Sequence, residues 1–366
     1  MNYTIQHYRI ALTLLYGVGP VKALDLIDRL GSVEPLFTLS LKELHHQTTY
    51  PISFLSRMKR AEALNVADAT INSMKVNGIN GLFYTDEAFP RRLRNCPDAP
   101  LFLYQKGNID FNKLHWVSIV GTRNASPYGK RIVRDLIALF QGKNIAVVSG
   151  LALGIDGYVH KYCLEYDVPT VAVLGHGFDR IYPYQHKALA NEITERGSLL
   201  TEFIPGTVPD RENFPKRNRI VAGMCDATIV VESKSKGGSL ITAELANGYN
   251  RDVFAFPGSI HAETSSGCNQ LIRLNQAHLI QSGKHFLDFM EWEPKSPSKT
   301  AIQTKLFTNL SSSQERIATL ISVKPIHIDV LAGQLKIPIS ALNAELFNLE
   351  MDGVVQQLPG KMYTLY

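Results

Sequence analysis

The chain has 366 residues, 45% of them apolar, and a formal net charge of +5. It is long enough to bury roughly two or three separate cores. No apolar run approaches the roughly 18 residues of a membrane span, and Gln6, His7 and Arg9 break the start where a signal peptide would be continuously apolar. A cytoplasmic protein with no membrane association is expected. Cys96, Cys163, Cys225 and Cys268 lie far apart with no C-x-x-C pair, which predicts reduced, mostly buried thiols in place of a disulfide framework or zinc site. The net charge is too small to attract nucleic acid as a global field, so any anion site must come from local placement.

Residues 1–78 have helical periodicity and include LTLLYGVGPVKALDLIDRLGS from Leu12 to Ser32. An apolar helix, the tight Gly17-Val18-Gly19 turn and Pro20 opening a second helix predict a helix-hairpin-helix (SAM-like) domain. Its turn either offers backbone N–H groups to a nucleic-acid phosphate or simply joins two packed helices. Residues 79–290 change texture, with expected strands at Trp116–Val120, Ile145–Ser149, Thr170–Leu174, Leu199–Thr201, Ala227–Glu232 and Val253–Phe256. Continuous apolar strands alternating with helices predict an α/β fold whose doubly wound, mostly parallel sheet is covered on both faces. Residues 291–310 read as a polar, proline-bearing linker, and residues 311–366 as a winged helix whose final hairpin turns at Pro359-Gly360.

Each strand of residues 79–290 runs into a glycine-rich polar loop. These loops contain GTRNASPYG from Gly121, SGLALGID from Ser149, GHGFDRIYP from Gly175 and ESKSKGGS from Glu232. Ligands of open α/β sheets bind at the carboxyl ends of the strands, so one long site is the economical reading. In the first loop, backbone N–H groups and a helix N-terminus would face an anion while Arg123 supplies a bidentate charge. Asn124 and Arg131 stand where a Walker A loop needs glycine and Ser or Thr, and no acidic residue ends the second strand to take a ribose. Neither an ATPase nor a nicotinamide enzyme is expected, and no cofactor or metal is assigned. Asp156, His160, His176, Asp179, Glu202, Glu232 and Glu244 lie near strand ends without forming a nucleophile-base-orienter set. KGGSLITAE, Lys236 to Glu244, resembles the PGGxGTxxE loop of nucleotide phosphoribohydrolases and supports an alternative hydrolase reading built on Gly237, Gly238 and Glu244.

From residue 100 to 285 the motifs VSIVGTRNASPYG, VVSGLALGIDGYVH, TVAVLGHGFDRIYP, ENFPKRNRIVAG, KGGSLITAE and GCNQLI follow one another in an order that resembles the DNA-processing protein A family (DprA, also called Smf). The resemblance implies an extended Rossmann-like fold that binds single-stranded DNA, forms a homodimer and loads the RecA recombinase during natural transformation. It implies a basic groove containing Arg123, Arg217, Asn218 and Arg219, with Phe214 and Tyr182 as stacking platforms. The strand-end loops add Gly121, Thr122, Ser149, Gly150, Gly175, Gly177, Gly238 and Ser239 to the expected nucleic-acid site. Tyr184 stands where family members often have lysine, leaving Lys187 or a stacking Tyr184 for that contact.

The winged helix sets Arg316, Lys324, Lys336 and Lys361 against Glu315, Asp329, Glu345, Glu350 and Asp352, with only acids on its recognition helix. A major-groove reader needs cations there, so this module is expected to bind protein or simply to pack. The combined expectation is a non-enzymatic single-strand binder. The hydrolase and a single-nucleotide sensor are the alternatives.

Overall fold

The computed structural model describes residues 3–292, 310–321 and 324–365. Residues 293–309 of the expected linker lie outside the described residues. The expected helical hairpin is present as Ile5–Thr13 and Pro20–Leu30. Pro20 occupies the first turn, where its missing N–H costs nothing, and Gly31 closes the helix at φ 76°. Ile10, Leu12, Ala23 and Leu26 are fully buried in a core that also takes in Phe83, Phe102 and Tyr104, so the helical layer shares its interior with one edge of the sheet.

Nine strands among the described residues form that sheet. They are β1 Asn80–Phe83, β2 Phe102–Gly107, β3 His115–Val120, β4 Ile145–Ser149, β5 Thr170–Val173, β6 Ser198–Thr201, β7 Ala227–Val230, β8 Asp252–Ala255 and β9 His278–Leu279. Their order is β1-β2-β6-β5-β4-β3-β7-β8-β9, parallel from β6 to β9, with β1 and β2 antiparallel at one edge. This is the expected doubly wound, mostly parallel sheet. Along β3, Trp116 and Val120 enter one core while Val117 and Ile119 enter the other, the period-two alternation of a strand buried on both faces. Helices Pro127–Phe140, Ile155–Glu165 and Gly283–Met290 cover one face, and Asn213–Gly223, Gly238–Gly248 and Ser266–Arg273 the other. Three strands were not expected from sequence: β1 opens on Asn80-Gly81, β2 ends in Gln-Lys-Gly, and β9 has only two residues. All four cysteines are buried and free, and burial pushes the Cys96 and Cys268 thiols up to about 12.

The winged helix comprises helices Ser312–Ile321, Ile328–Leu335 and Ile339–Met351 with strands β10 Ile326–His327, β11 Val355–Leu358 and β12 Met362–Leu365. Gly360 takes φ 77° in the hairpin turn, a conformation open to glycine at no steric cost. The module packs directly on the sheet. Arg251 bonds Asp329 at 2.6 Å, Asn250 bonds Asn343 at 3.1 Å, and His327 Nε2 lies 3.1 Å from Asp226. Asp226 also pairs with Arg92 and accepts the Trp116 N–H at 2.8 Å. Because Asp226 and Arg251 directly precede β7 and β8, the module sits at the amino ends of the parallel strands.

Candidate nucleic-acid interface

From β3 the chain winds through β4, β5 and β6 on one side and then crosses back to β7, β8 and β9 on the other. The loops leaving β3 and β7 part at this switch point, where ligands enter doubly wound sheets. A cleft of about 860 Å³ opens at the carboxyl ends there.

One wall is the loop after β3. Thr122 N–H donates to the Glu232 carbonyl at 2.7 Å, and Ile155 N–H donates to the Thr122 carbonyl at 3.0 Å. Gly154, at φ 78°, passes so close that a Cβ would lie 2.3 Å from the Thr122 oxygen, so glycine is required. Ser126 caps helix Pro127–Phe140 by accepting Gly129 N–H, and its hydroxyl donates to the buried Glu232 carboxylate at 2.6 Å. Held this way, Arg123 stays exposed and lies 5.6 Å from the Phe214 ring centre. Tyr182 follows at 5.9 Å from Phe214, 48% exposed, its N–H donated to His176 Nε2. Cation, phenyl ring and phenol thus form a continuous row.

Helix Asn213–Gly223 supplies the floor. Phe214, Arg217 and Asn218 line the cleft, but Arg217 is only 5% exposed and donates to the Val173 carbonyl at 2.9 Å. Its guanidinium threads past Gly150, where a Cβ would sit 1.6 Å from Nη1. Burial raises the Asp156 pKa against the opposing charge of Arg217, and Asp156 accepts Gly150 N–H at 3.1 Å. Arg217 is therefore a charged pillar more than an exposed phosphate clamp. Arg219 requires correction. It turns to the other side of the helix, pairs with the half-buried Glu202 and the Asp98 carbonyl, and is not among the cleft-lining residues.

The opposite wall is the loop from Ser233 to the N-terminus of helix Gly238–Gly248. Gly238 and Ser239 line it, beside Gly121 and Thr122. Ser149, Gly175, Gly177 and Lys187 do not line the main cleft. Ser149 donates to the Ile119 carbonyl, Gly175 packs under Phe214, Gly177 N–H bonds the Thr207 carbonyl, and Lys187 lies near Tyr184. Sequence reasoning missed Arg211, Lys234 and Lys236, all exposed and cleft-lining; both lysines were visible in ESKSKGGS, immediately after β7. Glu244 is exposed and absent from the cleft wall. His160 is a packed histidine, bonded to Thr170 at 2.8 Å and held neutral by burial with a pKa of about 3. Among the described residues no acidic, His or Cys cluster could hold a metal, and no helix is long and apolar enough to cross a membrane.

The family described as DNA recombination-mediator protein A matches residues 80–291, and the DprA winged helix domain matches residues 297–361. Protein Smf of Synechocystis is 34% identical over 98% of both chains. DNA processing protein DprA of Streptococcus pneumoniae is 42% identical over 57% of this chain and 73% of its own. The X-ray structure of that protein superposes with a TM-score of 0.67 at 34% identity, covering 79% of this chain and 98% of the other. DNA processing protein A of Helicobacter pylori, whose structure is described for its single-stranded DNA binding mode, superposes with a TM-score of 0.53 at 28% identity over 57% of this chain and 94% of its own. With the match running across the whole sheet and the cleft, the chain belongs to the DNA recombination-mediator protein A family, DprA or Smf.

Proposed function

We propose that the chain is a cytoplasmic, non-enzymatic mediator that binds single-stranded DNA in the cleft, protects incoming DNA and helps load RecA recombinase during natural transformation, acting as a homodimer. The observation that carries the reading is the row of Arg123, Phe214 and Tyr182 facing a wall with Lys234 and Lys236. Single-strand binders combine a cationic track for phosphates with aromatic faces for bases, each stacked base contributing roughly 1–3 kcal/mol. A duplex hides its bases from such a row.

Titration with a single-stranded oligonucleotide, the matching duplex and nucleoside monophosphates tests this reading. The single strand is expected to bind tightest, with affinity rising over several nucleotides. Equal binding of a mononucleotide, or release of free base from it, would replace the reading with the hydrolase or sensor alternative. For the mediator role, the expected result is faster RecA assembly on protein-coated single strands.

A further inference from the structure

The loops after β7 and β8 meet above the cleft, where Lys234 Nζ lies 2.7 Å from Glu263 Oε2 with side chains 47% and 73% exposed. Both residues line the cleft. Of its two acidic side chains Asp156 is buried, so Glu263 is the carboxylate a passing phosphate would meet. The pair is not what joins the two loops. Gly267 N–H donates to the Ser233 carbonyl at 2.8 Å, and Thr264 Oγ1 donates to Glu232 at 3.3 Å. An exposed pair of this kind contributes only about 0–1 kcal/mol, so a phosphate can displace it.

We propose that Glu263 is an affinity-setting counter-charge. It occupies Lys234 in the free protein and is displaced when a strand phosphate reaches that lysine. The inference rests on the single-strand reading above and adds a consequence for length. A ligand too short to reach Lys234 leaves the pair intact, whereas a longer strand must break it, so Glu263 lowers the affinity for long strands alone and makes them easier to release.

The test compares wild type, Glu263→Gln, Lys234→Ala and the double variant, using a long single-stranded oligonucleotide and a mononucleotide across a salt series. Glu263→Gln is expected to bind the oligonucleotide about two- to five-fold tighter, the range an exposed-pair energy of up to about 1 kcal/mol allows. Its salt slope should be steeper than that of wild type, because salt screens the competing Lys234–Glu263 pair in wild type and no such pair remains in the variant. Mononucleotide affinity stays unchanged, and the gain vanishes in the Lys234→Ala background. Unchanged or weaker oligonucleotide binding by Glu263→Gln, with Glu263→Ala agreeing, overturns the proposal, as does a gain that survives without Lys234. If wild type binds no single strand, the underlying reading falls and this inference with it; if wild type binds and the variants match it, this inference alone falls.

Discussion

Arg251 and Asp329 face each other at 2.6 Å with 1% and 2% of their side chains exposed, one from the turn before β8 and the other from the winged helix. Burial opposes the charge of Arg251, yet Asp329 holds its pKa above the ordinary arginine range. Removing one partner strands the other, which typically costs about 3–5 kcal/mol, whereas replacing both with apolar side chains of similar volume is often neutral. Asp329→Ala is therefore expected to release the winged helix, seen as early proteolytic cleavage and a lower first unfolding midpoint. An Arg251→Met, Asp329→Leu double variant should recover most of the loss. Equal protease resistance of Asp329→Ala and wild type would show that the pair does not hold the module.

Deleting residues 300–366 is expected to leave single-strand affinity within a few fold, since the module sits at the amino ends of the strands and the cleft at their carboxyl ends. The deletion also removes partners from Arg251, Asp226 and Asn250, so thermal stability should fall even where binding persists. A ten-fold loss of affinity, about 1.4 kcal/mol, would mean that the module touches DNA or holds a required dimer, and solution mass separates those two causes.

Arg123, on the loop after β3, and Arg219, on helix Asn213–Gly223, should behave in opposite ways. Arg123→Ala is expected to weaken binding to all sequences alike and to make the salt slope shallower by about 0.7, one phosphate contact on a single strand. Arg219→Ala leaves half-buried Glu202 without its counter-charge and should lower stability with the slope unchanged. Salt titration beside chemical denaturation checks both. A shallower slope for Arg219→Ala would return that residue to the cleft.

The buried His160 makes stability fall with acidity. Its folded pKa is near 3, chiefly through burial and then through the charges of His186 and Arg217, against 6.5 for the free side chain. Between those values the unfolded chain binds a proton that the folded chain excludes, so this stability is complete above pH 6.5 and declines by roughly 1.4 kcal/mol per unit as the pH drops toward 3. His160→Gln should flatten the slope between pH 6 and 4 in urea unfolding. An unaltered slope would assign the pH dependence to other groups.

The strands that meet the cleft were legible because burial on both faces leaves an unbroken apolar run, as in Ile145–Ser149, followed by a loop whose residues face a ligand. The fate of the arginines in NFPKRNR was not. Residues two apart on a helix differ by about 200° around its axis, so Arg217 and Arg219 diverge, and only the distant partners Val173 and Glu202 show which way each points. Lys234 and Lys236 were overlooked because the glycines beside them drew the reading toward phosphate-cradling backbone. The seat of the winged helix depends on Arg251 and Asp329, 78 positions apart, a distance at which sequence spacing carries no signal.

Placing the winged helix at one end of the parallel strands and the cleft at the other has a mechanical consequence. The strands between them have four to six residues, a separation of roughly 13–20 Å. A protein gripping the far module would leave the mouth of the cleft clear, and a strand threaded through the cleft would leave that module free. The two engagements would then add without competing, so the proposed strand and a protein partner could be held at once.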